Sequence, residues 1–274
     1  MLTLLPSRAV VSVAGADAAG FLQGLITNDI AKAAGAPLYA ALLTPQGKYL
    51  FDFILAAHDD GFLIDCERAR AEALIARLLA YRLRAKVAIA LTDWCVMAAW
   101  GETPQPQSGE TAFPDPRHPA LGFRLLAPVA LGTTTASESD YHRHRIGLGV
   151  PEGAMDFAPE ETFLLEGNAE ELHGVDFKKG CYVGQELTAR MKHRGTARRR
   201  VLRVRAEAAL PPFGTPLMQD GSEVGTMMSA LDGAGLALVR IDRLALERPV
   251  LAGDVPAMVS APDYPLLLSK ERSS

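Results

Sequence analysis

The sequence predicts an α+β protein that ends in a small antiparallel β-barrel. Three observations favour this fold class, the first being a series of β-rich runs between residues 38 and 66 with an amphipathic helical pattern after them. Residues 101–119 hold five prolines and interrupt that periodicity. Beyond residue 200 the chain changes to short β-rich runs separated by turn residues. The predicted units are an α+β unit at residues 1–100, a second at 101–200, and the barrel at 201–274.

The first unit begins with a strand and a short helix. Residues 10–13 form a β-rich run, Asp17 is placed to cap a helix, and apolar residues then recur at helical spacing. The turn at residues 44–47 next joins the β-rich runs 38–43 and 49–56. This order predicts antiparallel strands beside a helix.

An amphipathic helix is predicted between residues 67 and 83. Its apolar residues fall on one face, and most of the charged residues lie off that face. Residues 87–91 and 96–100 then have the composition of strands, which completes a split β–α–β order in the first unit. The apolar face consists of Leu74, Ile75, Leu78 and Leu79.

The second unit and the barrel show fewer clear elements. We interpret residues 101–119 as a long surface loop or a joint between the units. Residues 123–129 are predicted to be extended and residues 139–148 to be helical. Clear barrel strands are predicted at 201–205, 236–241 and 255–259, and residues 269–274 are expected to form a frayed tail.

The composition is that of a water-soluble protein of a reducing compartment. Of the 274 residues, 49% are hydrophobic and 22% are charged, which is enough for a sizeable core. The chain has three cysteines, which is an odd number, and no two of them form a CxxC pair, so nothing indicates a disulfide framework. They are Cys66, Cys95 and Cys181. The first residues lack the pattern of a secretory signal, and no apolar run is long enough to span a bilayer. We therefore expect a cytoplasmic protein.

The run KKGCYVGQE at residues 178–186 is the most informative part of the sequence. Two lysines precede Cys181, glycines flank it, and a helix is expected to begin near Gln185. Cationic neighbours and a helix N-terminus both favour the thiolate, so Cys181 is the candidate reactive residue. The alternative, which we adopt for Cys66 and Cys95, is a small core residue.

This run resembles the signature of the YgfZ-type folate-binding proteins, which are similar in fold to the glycine-cleavage T-protein. Other segments match the same family, and some of them favour its mitochondrial-type branch. The resemblance covers most of the chain and is weakest after Arg205. The matching segments are FLQGLITND (21–29), TPQGK (44–48), YRLRAKV (81–87), DPR (115–117) with Leu121 and Gly122, and HRG (193–195) with ARR (197–199).

The resemblance implies both a fold and a function. The implied fold is a folate-binding domain of interlocked ferredoxin-like units, closed with the barrel into a ring around a central cavity. The implied function is that of a tetrahydrofolate-binding accessory factor for the assembly or repair of iron–sulfur proteins. Its partners would be folate and iron–sulfur client or assembly proteins. The family requires the signature cysteine and its lysine, which are Cys181 and Lys179 here. We also expect Gln185, in the same signature, to contribute to cofactor binding.

Other residues are candidates for the folate site. The resemblance places Tyr141 where an aromatic ring can lie against folate, and Glu166 where T-proteins hold a glutamate that contacts the pterin. A carboxylate can accept the paired donors of a pterin ring, for which Glu166 and Asp29 are candidates. The glutamyl tail is anionic, and Lys179, Arg190 or Arg194 is expected to meet it. The alternatives are an exposed loop carboxylate for Glu166 and a helix-ending turn for Asp29.

The sequence departs from these families at two places. An aromatic residue that some relatives set against folate is Arg8 here. The T-proteins lack the signature around Cys181, so aminomethyl transfer from a lipoyl arm does not follow from the likeness.

Positive charge is concentrated in residues 176–205, where ten cationic and two anionic side chains occur in a chain of net charge -4. Arg198, Arg199 and Arg200 could bind RNA phosphates, but few aromatic residues are present to stack bases. A pocket wall for an anion, or a docking face for an acidic protein, fits better. The histidines lack a third ligand at a metal-binding spacing, so no metal site is expected.

Three functions remain open at this point. The first is the folate-dependent accessory factor, the second a folate-dependent aminomethyl or methyl transferase, and the third an RNA-binding or tRNA-modification-linked module. The sequence leaves enzymatic turnover undecided.

Overall fold

A computed structural model describes residues 1–104, 109–128, 134–195 and 197–266. The predicted α+β fold class with a C-terminal barrel is confirmed. Strands in the described residues are β1 (Leu2–Leu4), β2 (Arg8–Ala14), β3 (Leu38–Leu43), β4 (Tyr49–His58), β5 (Gly61–Glu67), β6 (Ala88–Leu91), β7 (Cys95–Ala99), β8 (Thr111–Pro114), β9 (Phe123–Ala127), β10 (Arg199–Arg205), β11 (Pro216–Gln219), β12 (Ser222–Leu231), β13 (Ala234–Arg240), β14 (Val250–Ala252) and β15 (Val255–Ser260). The α-helices are α1 (Ala18–Gln23), α2 (Ala71–Arg82), α3 (Glu138–Leu148), α4 (Gly153–Asp156) and α5 (Gln185–Arg194).

The first sheet has five antiparallel strands in the order β3-β4-β5-β2-β6. Helix α2 covers one face, and its Leu74 and Leu78 pack in one core with Val11 and Phe53. Burying each of these side chains contributes about 1.5–3 kcal/mol to stability. The predicted meander and helix are confirmed, but Leu79, which was predicted on the apolar face, is 40% exposed.

The second sheet, in the order β1-β7-β9-β8, takes its edge strand β1 from the beginning of the chain. In the register of this pair, Leu2 lies opposite Ala99 and Leu4 opposite Met97. The chain thus begins in the second sheet, passes through the whole first sheet, and returns. This exchange interlocks the two units, as expected from the resemblance.

One local prediction was incomplete and another was wrong. Within residues 101–119, predicted to be a loop or a joint, β8 pairs with β9 at the sheet edge, where the missing N–H of Pro114 does no harm. Asp17 makes no side-chain cap for α1, because its Oδ2 accepts the backbone N–H of Lys86 at 2.7 Å.

The two sheets face each other across a second core that includes Val10, Ile54, Val96 and Leu126. Helix α3, predicted at 139–148, begins with a capping box between Ser137 and Asp140. Its Tyr141 is also part of this core.

The barrel closes in the strand order β10-β13-β12-β11-β14-β15, and the three predicted strands lie in β10, β13 and β15. The predicted tail at 269–274, and the end of the extended segment predicted at 123–129, lie outside the described residues. In the described part of the chain, no helix combines the length and apolar character needed to cross a membrane.

Candidate functional site

The Cys181 loop, residues 176–184, leads into α5. It lies against the turn between β3 and β4, and a Cβ at Gly184 would come within 2.6 Å of the Thr44 carbonyl oxygen. Gly184 also has a φ of +85°, which a glycine adopts without penalty. At the start of the loop, Asp176 pairs with Lys32 at 2.6 Å and accepts the N–H of Lys178 at 2.7 Å. The loop is therefore tied down at both ends.

Lys179 fixes the middle of this loop. Its ammonium is buried and donates three hydrogen bonds, to the carbonyl oxygens of Gln23 at 2.7 Å, Ile26 at 2.6 Å and Asn28 at 2.9 Å. Burial lowers the pKa of Lys179 to about 8, against the opposing effects of Asp29 and Asp176. All three protons of the ammonium are used, so Lys179 holds the loop against the end of α1. A direct chemical role for Lys179 stays a prediction.

Cys181 is exposed next to the anchored lysine, and the other two cysteines are less accessible. Cys66 is buried in the first core, where burial raises the pKa of its thiol to about 12. Cys95 is half-buried on β7. The thiol of Cys181 is the one open to a partner or a reagent.

The residues predicted to bind folate do not converge on one site. Both oxygens of Glu166 are engaged by Arg199, with Nε–Oε1 at 3.0 Å and Nη2–Oε2 at 2.8 Å. Asp29 caps a short 3-10 turn by accepting the N–H of Ala31 at 3.1 Å, and it also accepts a hydrogen bond from the Gln23 side-chain amide at 3.0 Å. Asp29 is near Lys179, whereas Glu166 faces the barrel strand β10.

The remaining candidates are divided in the same way. Tyr141 has no exposed surface, and its hydroxyl is enclosed by Arg117, Arg124 and Glu152. Gln185 is the first residue of α5 and is half-buried, while Arg190 and Arg194 are exposed on the same helix. The structure thus brings Lys179, Cys181 and Gln185 together with Asp29 nearby, and it leaves Tyr141 and Glu166 elsewhere.

A buried cluster of charges lies between the two sheets, and sequence reasoning missed it. Each of its three arginines and three carboxylates has at most 5% of its side chain exposed. Burial alone would raise the pKa of Glu152, but three arginines of the cluster hold it well below its usual value. The ion cluster consists of Arg8, Asp65, Asp115, Arg117, Arg124 and Glu152.

One side of the ion cluster opens into a cavity of about 300 Å³, here called the Arg8 cavity. Glu152 Oε1 and Arg8 Nη1 are 4.0 Å apart, and among the described residues neither atom has a hydrogen-bond partner. A ligand that carries a donor beside an acceptor could bond to both. Residues lining the cavity are Ser7, Arg8, Glu67, Arg68, Ala69, Glu152, Gly153 and Met155.

Much of the basic segment at 176–205 is used inside the protein. Lys192 pairs with Glu170, Arg200 donates to the Leu165 carbonyl at 2.6 Å, and Arg203 donates to the Gly147 carbonyl at 2.9 Å. With Lys179 and Arg199 also engaged, half of the ten cations are used inside the protein, and three of them, Arg199, Arg200 and Arg203, join the barrel to the α+β units. This use weakens the RNA-binding interpretation.

Comparisons with known proteins agree with the fold described above. Residues 198–265 match the family described as CAF17, C-terminal beta-barrel domain. The fold of the chain is similar to that of the glycine cleavage system aminomethyltransferase T from Bartonella henselae, with a TM-score of 0.75 over 95% of this chain and 84% of that one. The two sequences are 16% identical, so this likeness concerns the fold alone.

Curated relatives are closer in sequence. The chain is 36% identical to the Homo sapiens protein named iron-sulfur cluster assembly factor IBA57, mitochondrial, over 97% of this chain and 85% of that protein. It is 38% identical to the IBA57 homolog of Mycosarcoma maydis, but it spans only 56% of that protein's length. The Mus musculus IBA57 is 33% identical, with 77% of its length covered. This chain belongs to the family of the iron–sulfur cluster assembly factors IBA57.

Proposed function

We propose that this protein supports the assembly of iron–sulfur clusters on other proteins and that Cys181 is the group it offers to the cluster. The observation that carries the proposal is the exposed thiol on an anchored loop within a chain of the IBA57 family. Thiolates are the usual protein ligands of iron–sulfur clusters, and a cluster commonly takes four of them. One accessible cysteine cannot hold a cluster alone, so a partner protein supplies the other ligands.

Cys181→Ala tests this proposal, with Cys95→Ala as the matched control. In a strain that lacks the protein, Cys181→Ala is expected to leave the activity of iron–sulfur enzymes at the level of the empty strain. The Cys95→Ala protein is expected to restore it. Equal unfolding curves for the two variants would show that folding is not the cause. Full restoration by Cys181→Ala would remove the thiol from the function.

We also propose that tetrahydrofolate binds in the Arg8 cavity, which fits a pterin ring better than the residues predicted from the sequence. Glu152 Oε1 could accept an N–H of the ring and Arg8 Nη1 could donate to a neighbouring acceptor, because both atoms lack hydrogen-bond partners among the described residues. Bound tetrahydrofolate would supply a carrier for one-carbon units. The Cys181 loop contributes no residue to this cavity, so a transferase function that uses this thiol has less support.

Calorimetric titration with tetrahydrofolate tests the second proposal. The parent protein is expected to show one saturable site. Ala69→Trp, which places an indole in the Arg8 cavity, is expected to abolish binding. Ala73→Trp, on the exposed side of α2, is the matched control and is expected to bind like the parent. Undiminished binding by Ala69→Trp would rule out this cavity.

A further inference from the structure

The turn that follows α2 presents a leucine to solvent. Leu83 is 90% exposed, and its backbone has a φ of 43° and a ψ of -108°. The N–H of Ala85 donates to the Arg82 carbonyl at 2.8 Å, which closes a type II′ turn with Leu83 at its first central position. That position favours glycine, because a side chain at positive φ is strained. The fold therefore bears two costs at Leu83, an exposed apolar side chain and an unfavourable backbone.

Cations surround this leucine. Arg82, Arg84 and Lys86 are exposed, and none of them forms an ion pair with a carboxylate in the described part of the chain. Leu79, in the last turn of α2, is 40% exposed. The Leu83 turn, residues 82–86, is thus an apolar projection with a basic rim.

Helix α1 connects the Leu83 turn to the Cys181 loop. At its start, Asp17 accepts the N–H of Lys86 at 2.7 Å. At its end, the carbonyl oxygen of Gln23 accepts a hydrogen bond from the Lys179 ammonium at 2.7 Å. The carbonyl oxygen of the next residue, Gly24, accepts the N–H of Val183 at 3.3 Å. The helix has six residues, so the points at which the two loops attach to it lie about 9 Å apart along its axis.

That separation is small compared with a protein interface. A stable complex typically covers about 800 Å² on each partner, so an interface centred on Cys181 is wide enough to include the Leu83 turn. The exposed residues of α1 are small, which allows close approach between the two loops. They are Ala19 and Gly20.

We propose that the Leu83 turn is a docking site for the cluster-bearing partner of Cys181, and that this partner carries an apolar pocket rimmed by carboxylates. The proposal rests on the proposed function of Cys181. A second copy of this chain is a poor occupant, because it would bring the same unpaired cations face to face. Two exposed leucines, Leu79 and Leu83, are also a small anchor for a lipid bilayer, which favours a protein partner.

Leu83→Gly tests the apolar part of the site. Glycine suits the turn, so this variant is expected to be at least as stable as the parent and to leave the alkylation rate of Cys181 unchanged. In the complementation assay its restored iron–sulfur enzyme activity is expected to fall to about one tenth of the parent level, as for a residue at the centre of an interface. Leu83→Ala should lose activity too. The matched control is Leu251→Ala, on the exposed face of β14, which should keep full activity. Full activity of Leu83→Gly would overturn the proposal.

Charge variants test the basic rim. The double variant Arg82→Glu/Arg84→Glu is expected to lose activity to the same extent as Leu83→Gly, whereas Arg82→Lys/Arg84→Lys is expected to keep it. Equal activity of the two double variants would contradict an acidic partner. Co-sedimentation with phosphatidylcholine–phosphatidylserine vesicles that is lost in Leu83→Gly would replace the protein partner by a membrane surface and also overturn the proposal. Cys181→Ala separates the two hypotheses: an inactive Cys181→Ala with a fully active Leu83→Gly removes the docking site and leaves the proposed function intact.

Discussion

Glu152→Gln is expected to destabilise the protein by about 3–5 kcal/mol, because it removes one charge from a buried and balanced set. Glu152 Oε2 accepts the Tyr141 hydroxyl at 2.8 Å and the Nη1 of Arg117 at 3.3 Å, and Arg124 lies 3.4 Å away. Neutralising this carboxylate leaves three buried guanidinium groups against two carboxylates. Urea unfolding monitored by tryptophan fluorescence measures the change.

Glu247→Gln is the matched control, since Glu247 is exposed and its loss should change the stability by less than about 0.5 kcal/mol. Equal unfolding midpoints for the two variants would contradict the importance of the ion cluster.

The ion cluster also predicts that the protein loses stability in acid. Burial raises the pKa of Asp115, but Arg117 and Arg124 more than offset this and hold it at about 2. Stability from Asp115 is then fully present above the unfolded value of about 3.9 and is lost as the pH falls through 2.

Lys179→Met is expected to lower the free energy of unfolding by about 2–3 kcal/mol, because three buried carbonyl groups lose their donor. The loss should be largest in the Cys181 loop, which the ammonium ties to Gln23, Ile26 and Asn28. Hydrogen exchange of residues 177–184 is therefore expected to accelerate more than exchange in the barrel. Lys178→Met, at an exposed neighbour, is the matched control and should change neither quantity. Unchanged exchange in Lys179→Met would show that the lysine does not hold the loop.

The lowered pKa of Lys179 predicts how the stability difference between the parent and Lys179→Met changes with pH. Its folded pKa of about 8 is below the unfolded value of about 10.4, so the unfolded chain binds more protons between these two values. The stability of the parent relative to Lys179→Met should therefore increase as the pH rises from 8 to 10. A decrease over that interval would contradict the lowered pKa.

The parts of the fold that sequence reasoning found are those set by local pattern. The β-rich runs in residues 38–56 and most of the apolar face of α2 depend on residues close in sequence, and so does the start of α5 after Gly184. β1 was missed because three residues have no period of their own, and its pairing with β7 is a long-range contact. β8 was missed because its proline argued for a loop.

The same difference between local pattern and long-range contact holds for the residues of the candidate site. Cys181 was found because its glycines and lysines are adjacent in the sequence, and the structure leaves it exposed. The ion cluster could not be found in this way, because its members are scattered from residue 8 to residue 152. Arg8 was noted only as a departure from the resemblance, and nothing local indicated that Asp65 or Glu152 would be its partner. Buried ion pairs leave little trace in a single sequence.

The pairing of β1 with β7 has a consequence for biosynthesis. Leu2 cannot meet Ala99 until about a hundred residues have left the ribosome, and β9 must follow before the sheet is complete. Contacts so far apart in the chain slow folding, since a long loop has to close first. A nascent chain will therefore keep its first residues unpaired while the sheet under α2 is already taking shape, and this interval is when a chaperone would be of most use.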